Sequence, residues 1–326
     1  MSSHLPRLRP VLLGSMATAL VALGCSDGSN GDSGPGPGVP SSGGVPGAGG
    51  ATGGAPTVTG GMGGSLAVTG GSPSTGGAPS TGGGTGSELG TGVMEGSGST
   101  TERYQAEFVT RNDIPYVFIT NGWGNGWQSH RISWEGTSFI IEESQGNGAM
   151  GGVPSSFPTM FCGLYSVPEV ADCGLPVSID SLQSLQTGWR WAPNGNTGQF
   201  NAAYDIWIGN GSSLHQYLMV WLRDPPDRQP AGAPNPAHQD VSVEGLPGKW
   251  DIWDGTVNGL PIINWVQREG QDLHEIEFDV LSLIRDAEQR QLTIHGTHIN
   301  AVAVGFEIWD GPITNLESVD FYVDVN

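Results

Sequence analysis

The stretch Asn201-Ala202-Ala203-Tyr204-Asp205-Ile206-Trp207-Ile208-Gly209-Asn210-Gly211-Ser212-Ser213-Leu214-His215-Gln216-Tyr217-Leu218-Met219-Val220-Trp221-Leu222 decides the fold. Two runs rich in aromatic and branched side chains, Tyr204 to Ile208 and Leu218 to Leu222, flank the turn-forming Gly209-Asn210-Gly211-Ser212, which reads as a β-hairpin. Side chains alternate along a strand, so Ala203, Asp205 and Trp207 share one face, and Tyr217, Met219 and Trp221 share a face on the return strand. A turn centred on Gly211 sets Asp205 opposite Tyr217. The other face, with Leu218 and Val220, is aliphatic and belongs to a core. The polar-aromatic face is directed at something other than bulk water.

The same grammar extends outward from the hairpin. From residue 103 onward short apolar runs alternate with Gly, Pro and Asn, as at Tyr116 to Ile119, Phe139 to Ile141, Ile262 to Val266, Ala301 to Ile308 and Val319 to Val325. Regular short runs with turn signals argue for an all-β, two-sheet sandwich. Phe278, Leu281, Ile284 and Arg285 instead fall near helical spacing, which predicts one short helix near 277–290. Of the eleven Trp, about half are expected to be core.

The chain divides sharply in composition. Residues 26–100 hold 28 of the 54 glycines and no Lys, Arg or aromatic residue, whereas every Trp lies after residue 100. Nothing apolar recurs there at helix or strand period, so 26–100 is expected to be a disordered Gly/Ser/Pro/Thr-rich linker. It would span roughly 45–50 Å and suit a tether. Arg7 and Arg9 precede an apolar run from Val11 to Leu23, so residues 1–25 read as a secretory signal. Gly24-Cys25 resembles a bacterial lipobox, with Cys25 as the lipidated residue of an exported envelope protein. Cys162 and Cys173 then remain as an even pair, expected to form a disulfide. The domain 101–326 carries 10 Lys and Arg against 28 Asp and Glu. Such a surface repels nucleic acid and anionic membranes but not a neutral polysaccharide.

Five segments in order carry a family resemblance. They are Asn121-Gly122-Trp123-Gly124; Pro154-Ser155-Ser156-Phe157-Pro158 followed by Cys162-Gly163; Asn201 to Trp207; Trp250-Asp251-Ile252-Trp253-Asp254-Gly255; and Gly305-Phe306-Glu307-Ile308-Trp309-Asp310-Gly311. Together with the single late helix they resemble glycoside hydrolase family 12, secreted endo-β-1,4-glucanases and xyloglucanases. The resemblance implies a β-jelly roll whose concave sheet forms an open cleft for a β-glucan, and retaining hydrolysis by two carboxylates. It makes Glu307 the acid/base, and Asn121, Trp123, Met219, Trp221 and Trp253 substrate-binding residues. No metal or organic cofactor is implied, and the domain is taken as a monomer whose only membrane contact is the lipid anchor.

The nucleophile departs from the family pattern. Glu-Ile-Met-Ile-Trp in the family stands against Tyr217-Leu218-Met219-Val220-Trp221 here, which puts Tyr217 at the nucleophile position. A phenol is a weak nucleophile at neutral pH without an adjacent base. Three readings follow. Tyr217 attacks with help from Asp205; Asp205 positions a water while Glu307 acts as acid; or the cleft binds glucan and no longer cuts it.

Overall fold

A computed structural model describes residues 88–148, 153–232, 234–268 and 270–326. Cys25, the segment expected to be a secretory signal and most of the Gly-rich stretch lie outside them. In chain order the strands are β1 (Met94–Glu95), β2 (Ser97–Thr100), β3 (Ala106–Arg111), β4 (Ile114–Ile119), β5 (Trp127–Glu135), β6 (Ser138–Gly146), β7 (Thr159–Leu164), β8 (Val170–Ala171), β9 (Val177–Ser178), β10 (Leu185–Ala192), β11 (Ala202–Gly209), β12 (Leu214–Arg223), β13 (His238–Val241), β14 (Trp250–Val257), β15 (Leu260–Gln267), β16 (Glu275–Asp279), β17 (His298–Gly305) and β18 (Leu316–Val325), with helix α1 (Leu281–Gln289) between β16 and β17.

The strands form two sheets. The larger runs β1-β3-β4-β7-β17-β11-β12-β15-β14-β13, with β8 beside β7 and β9 beside β17; the smaller runs β16-β10-β18-β6-β5-β2. Burial follows the period-2 alternation that the sequence predicts. Phe118, Met160, Tyr204, Leu218, Val220 and Trp265 of the larger sheet pack against Ile132, Phe139, Trp189 and Phe321 of the smaller one, forming the core between them. The opposite face of the larger sheet carries a second, separate layer that includes Val117, Phe161, Trp207, Tyr217, Met219, Trp221 and Trp253. The expected two-sheet β sandwich is present.

Four expectations need correction. The folded part begins before residue 101: β1 pairs with β3 and β2 pairs with β5. The backbone ahead of them is also tied down, with Gly90 N donating to Asp320 and Arg111 donating to the Glu88 carbonyl. The helix is shorter than 277–290, because Glu275–Asp279 pairs with β10 and its apolar Ile276 and Phe278 alternate as a strand. Nine of the eleven Trp are buried, because both faces of the larger sheet are covered and the aromatic layer takes Trp that an open face would expose.

The fourth correction concerns the hairpin register. Asp205 pairs with Met219, and it is Trp207 that lies opposite Tyr217. Asn210 Oδ1 accepts hydrogen bonds from Ser212 N and Ser213 N, which widens the loop. The register then shifts between the Ile208–Gln216 and Gly209–Leu214 pairs, so His215 is an extra, bulged residue. A slip of two residues keeps every side chain on its expected face, so Asp205, Trp207, Tyr217 and Met219 still share one surface.

Candidate functional site

One register row crosses the covered face of the larger sheet. Phe108 pairs with Val117, Val117 with Phe161, Phe161 with Ala303, Ala303 with Asp205, Asp205 with Met219, Met219 with Asn264, and Asn264 with Trp253. Asp205 therefore stands near the middle of a line eight strands long, the only carboxylate in it.

Asp205 is fully buried. Its Oδ2 accepts from the Tyr165 hydroxyl at 2.7 Å and from Trp207 Nε1 at 3.0 Å, while Oδ1 has no partner. Burial pushes its carboxyl up to about 6, and the two hydrogen bonds pull against that shift. Tyr165 stacks on Phe161 at 4.9 Å and meets Trp207 edge-on at 5.5 Å. Trp207 in turn packs edge-on against Tyr217 at 4.3 Å. The Tyr217 hydroxyl is buried and unpartnered, and burial together with the Asp205 charge holds it well above the ordinary phenol range. Tyr217 is thus a neutral phenol at any physiological pH.

Glu307 follows β17, where the alternation continues past the ladder: Phe306 and Ile308 enter the inter-sheet core, and Trp309 joins the aromatic layer with Glu307 on its side. Asn201 grips it twice, with Nδ2 donating to Glu307 Oε2 and Oδ1 accepting from Glu307 N at 2.9 Å. Burial pushes the Glu307 carboxyl up to about 8, opposed by the Asn201 hydrogen bond and reinforced by the Asp205 charge. At neutral pH Glu307 is chiefly a protonated acid able to donate, and Asp205 is chiefly a carboxylate able to accept.

The remaining expected residues fall around these two carboxyls. Met219 and Trp221 are buried in the aromatic layer, and Trp221 lies 6.0 Å from Trp309. Trp253 is in the same layer, and the half-buried Trp123 packs against it. Asn121 sits at a left-handed φ of 42°, and its carbonyl accepts from Phe157 N. The disulfide Cys162–Cys173 is present, with Cα atoms 5.9 Å apart. At the centre of that face the side chains lie beneath the surface: Asp205, Tyr217 and Trp221 are 0% exposed and Glu307 is 1% exposed.

Sequence reasoning missed three contributors. Tyr165 has no local signal, since it lies just past the end of β7 and outside the quoted segments. Asn264 sits at the sheet position after Met219 only because β12 and β15 run parallel. Phe108, 61% exposed on the same face, would have been found by extending the alternation rule to β3.

Comparison with known proteins agrees with this architecture. Residues 159–326 match glycosyl hydrolase family 12. No curated protein sequence matches the chain. Among solved structures, an endoglucanase from Rhodothermus marinus is similar at a TM-score of 0.58 and 25% identity, over 70% of this chain and 98% of that one. A native family 12 xyloglucanase from Bacillus licheniformis gives 0.58 at 18% identity, over 70% of this chain and 100% of that one. The xyloglucanase domain of a type three effector from Sinorhizobium fredii, solved with cellobiose, gives 0.56 at 17%, over 70% and 98%. The two xyloglucanases share the fold. With more than half of its length matching, including the segments that hold Asp205, Tyr217 and Glu307, the chain belongs to glycosyl hydrolase family 12.

Proposed function

We propose that this protein binds β-1,4-glucan along the larger sheet and hydrolyses it slowly at most. The observation that carries this reading is a set of five buried polar atoms without partners, all on the aromatic-layer side: Trp123 Nε1, Trp221 Nε1, the Tyr217 hydroxyl, Asp205 Oδ1 and Asn264 Oδ1. Buried polar atoms are ordinarily satisfied, so a cluster left open marks a ligand position. The set mixes donors and acceptors, which suits sugar hydroxyls that do both, and the surrounding indoles suit the apolar faces of sugar rings. The Rhodothermus endoglucanase and the effector domain holding cellobiose support the same substrate class.

The limit on hydrolysis follows from the carboxyl inventory. The family resemblance assigns Glu307 the acid/base role and leaves Tyr217 in the nucleophile's place. A phenol held neutral by burial and by the Asp205 charge does not attack an anomeric carbon. Asp205 keeps one open second route: its free Oδ1 can take a proton from a water while Glu307 protonates the leaving oxygen. Tyr165 and Trp207 bond its other oxygen and offset part of the basicity that burial confers on it. The family resemblance and the lipobox-like Gly24-Cys25 support the wider proposal of an exported, lipid-anchored monomer acting on polysaccharide at the cell surface.

Affinity electrophoresis on xyloglucan and carboxymethyl-cellulose, with release of reducing ends measured alongside, tests this. Retention with no release, or with slow release abolished by Glu307→Gln, is the expected result. Failure to be retained by any β-1,4-glucan overturns the reading, as does turnover at rates ordinary for an endoglucanase.

A further inference from the structure

We propose that His130 is a positioning residue for the turn 121–124: its neutral ring holds Trp127 against Gly122, and uptake of a proton there loosens the turn and weakens glucan binding. This rests on the glucan reading above, through Asn121 and Trp123.

His130 is buried on β5, on the inter-sheet face that it shares with Ile132 and Trp134. Its Nδ1 meets Trp127 Nε1 at 3.1 Å, and its Nε2 meets the Glu102 carbonyl at 2.8 Å. An indole N–H only donates and a carbonyl only accepts, so one neutral tautomer satisfies both partners, with hydrogen on Nε2 and a bare Nδ1. A second proton would set N–H against N–H. Burial already disfavours that charge and holds the ring below its ordinary value, while the Glu102 carbonyl pulls the other way. The charged groups around the ring are few. Glu102 meets it through the backbone, and Arg103 lies over Trp127. Arg131, next in sequence, points to the other face and pairs with Glu142 and Glu143. Ser144, opposite on β6, carries no charge.

Trp127 carries the state of His130 to the turn. Its indole is packed so tightly on Gly122 that a Cβ there would come within 2.8 Å of Nε1. Arg103 lies over the Trp127 ring at 5.0 Å and over the Tyr104 ring at 5.3 Å. The same guanidinium donates to the Gly122 carbonyl at 2.5 Å and to the Gly124 carbonyl at 3.0 Å. Gly124 is in turn pressed against the Pro154 carbonyl. Trp123 therefore stands between two pinned glycines, with its Nε1 buried and unpartnered. Breaking the Trp127–His130 bond frees the indole, and with it the surface on which Gly122 and Arg103 rest.

Nitrogen-15 NMR of the whole protein reads this latch without any sugar. His130 is expected as the tautomer protonated at Nε2. The Trp127 indole N–H signal, identified by its loss in Trp127→Phe, is expected to shift with the His130 midpoint. Calorimetric titration with cellohexaose between about pH 7 and about pH 5 reads the consequence. Asp205 titrates in that window too, so wild type is compared with His130→Gln, whose amide accepts from Trp127, donates to Glu102 and takes up no proton. His130→Gln is expected to retain binding near pH 7, where His130→Leu loses it several-fold, and to weaken less than wild type in acid. Saturating cellohexaose is expected to lower the His130 midpoint, as reciprocal linkage requires. A ring protonated at Nδ1, or a Trp127 signal indifferent to His130, overturns the latch whatever the sugar does. Parallel pH profiles for wild type and His130→Gln, or a His130 midpoint unmoved by bound cellohexaose, overturn the positioning role and leave the glucan reading standing. Absence of wild-type binding near pH 7 takes down the glucan reading and the positioning role with it.

Discussion

Tyr165 donates its hydroxyl hydrogen to Asp205 Oδ2 across 2.7 Å, and it does so from the loop that the Cys162–Cys173 disulfide closes. Two further neighbours titrate: the Tyr217 phenol on β12 and the Glu307 carboxyl beyond β17, both electrostatically coupled to Asp205. Trp207 supplies the second hydrogen bond to the same oxygen. This carboxylate is therefore held by one oxygen and offers the other.

Tyr165→Phe should raise the Asp205 pKa further above about 6, because the phenol's hydrogen bond favours the charged carboxylate. A hydrogen bond to a charge is worth about 1.5–3 kcal/mol, which amounts to about one pH unit or more. Trp207 donates to the titrating group, so the pH dependence of indole fluorescence reports it. A midpoint that stays in place, or moves down, would show that Tyr165 does not bias Asp205.

Stability should fall as pH rises from about 4 to 8. Both Asp205 and Glu307 have folded-state values above the ordinary ones of 3.8 and 4.5, near 6 and 8 respectively. An acid raised on folding binds more protons in the folded than in the unfolded chain between the two values, so each contributes stability that is present below the lower value and lost through the upper one. The melting temperature should therefore be several degrees higher at pH 5 than at pH 8, and Glu307→Gln should flatten the upper half of that slope. Thermal melts across this range decide it; a melting temperature that climbs from pH 5 to pH 8 is incompatible with two protonated buried carboxyls.

Reducing the disulfide, or replacing both cysteines with serine, should cost about 2–4 kcal/mol, the range for a loop of this length, whose cysteines are 11 residues apart. The loop carries Tyr165, so the same change should also shift the Asp205 titration in the direction of Tyr165→Phe. Denaturant unfolding gives the first number and indole fluorescence the second. A stability loss with an unmoved titration would separate the clamp from the site.

The hairpin shows what was readable and what was not. Facing was legible because alternation is a local property: Asp205, Trp207, Tyr217 and Met219 share a surface whatever the loop does. Pairing was not, because it depends on the Asn210 side chain widening the turn and on the bulge at His215. The same divide runs through the rest. Glu307 was named from a motif, whereas Tyr165 reaches Asp205 from a loop 40 residues away in sequence and left no trace. Phe278 fits a helix as well as a strand by spacing alone, and only the partner strand β10 settles it. The start of the domain was misplaced because β1 is only the two residues Met94–Glu95 and β2 is built from Gly, Ser and Thr, like the Gly-rich sequence ahead of them.

Asn201→Ala should destabilise the fold by about 1–3 kcal/mol, since it leaves the buried Glu307 without its hydrogen bonds on both the carboxyl and the backbone N–H. It should also raise the Glu307 pKa beyond about 8, because the lost bond favoured the charged form. Pairing it with Glu307→Gln in a double-mutant cycle separates the effects: a coupling energy near zero would mean that the two side chains do not act together.

Tyr217→Glu is the substitution that asks whether the site is a disarmed hydrolase. The new carboxylate would stand on the face it shares with Asp205, two residues from Met219 on the same strand. Attack and protonation would then fall to separate groups, as a retaining mechanism needs. Release of reducing ends from β-1,4-glucan should rise by at least about 100-fold, a conservative share of what a restored nucleophile supplies elsewhere. The rate should form a bell in pH, with its alkaline limb near 8, where Glu307 loses its proton. Replacing a ring by a smaller chain within the aromatic layer should lower stability by about 2 kcal/mol or more, so melting is followed in parallel. A folded variant with no gain in turnover would show that more than the nucleophile has been lost from this cleft. A wild type already as fast as the variant would show that nothing has.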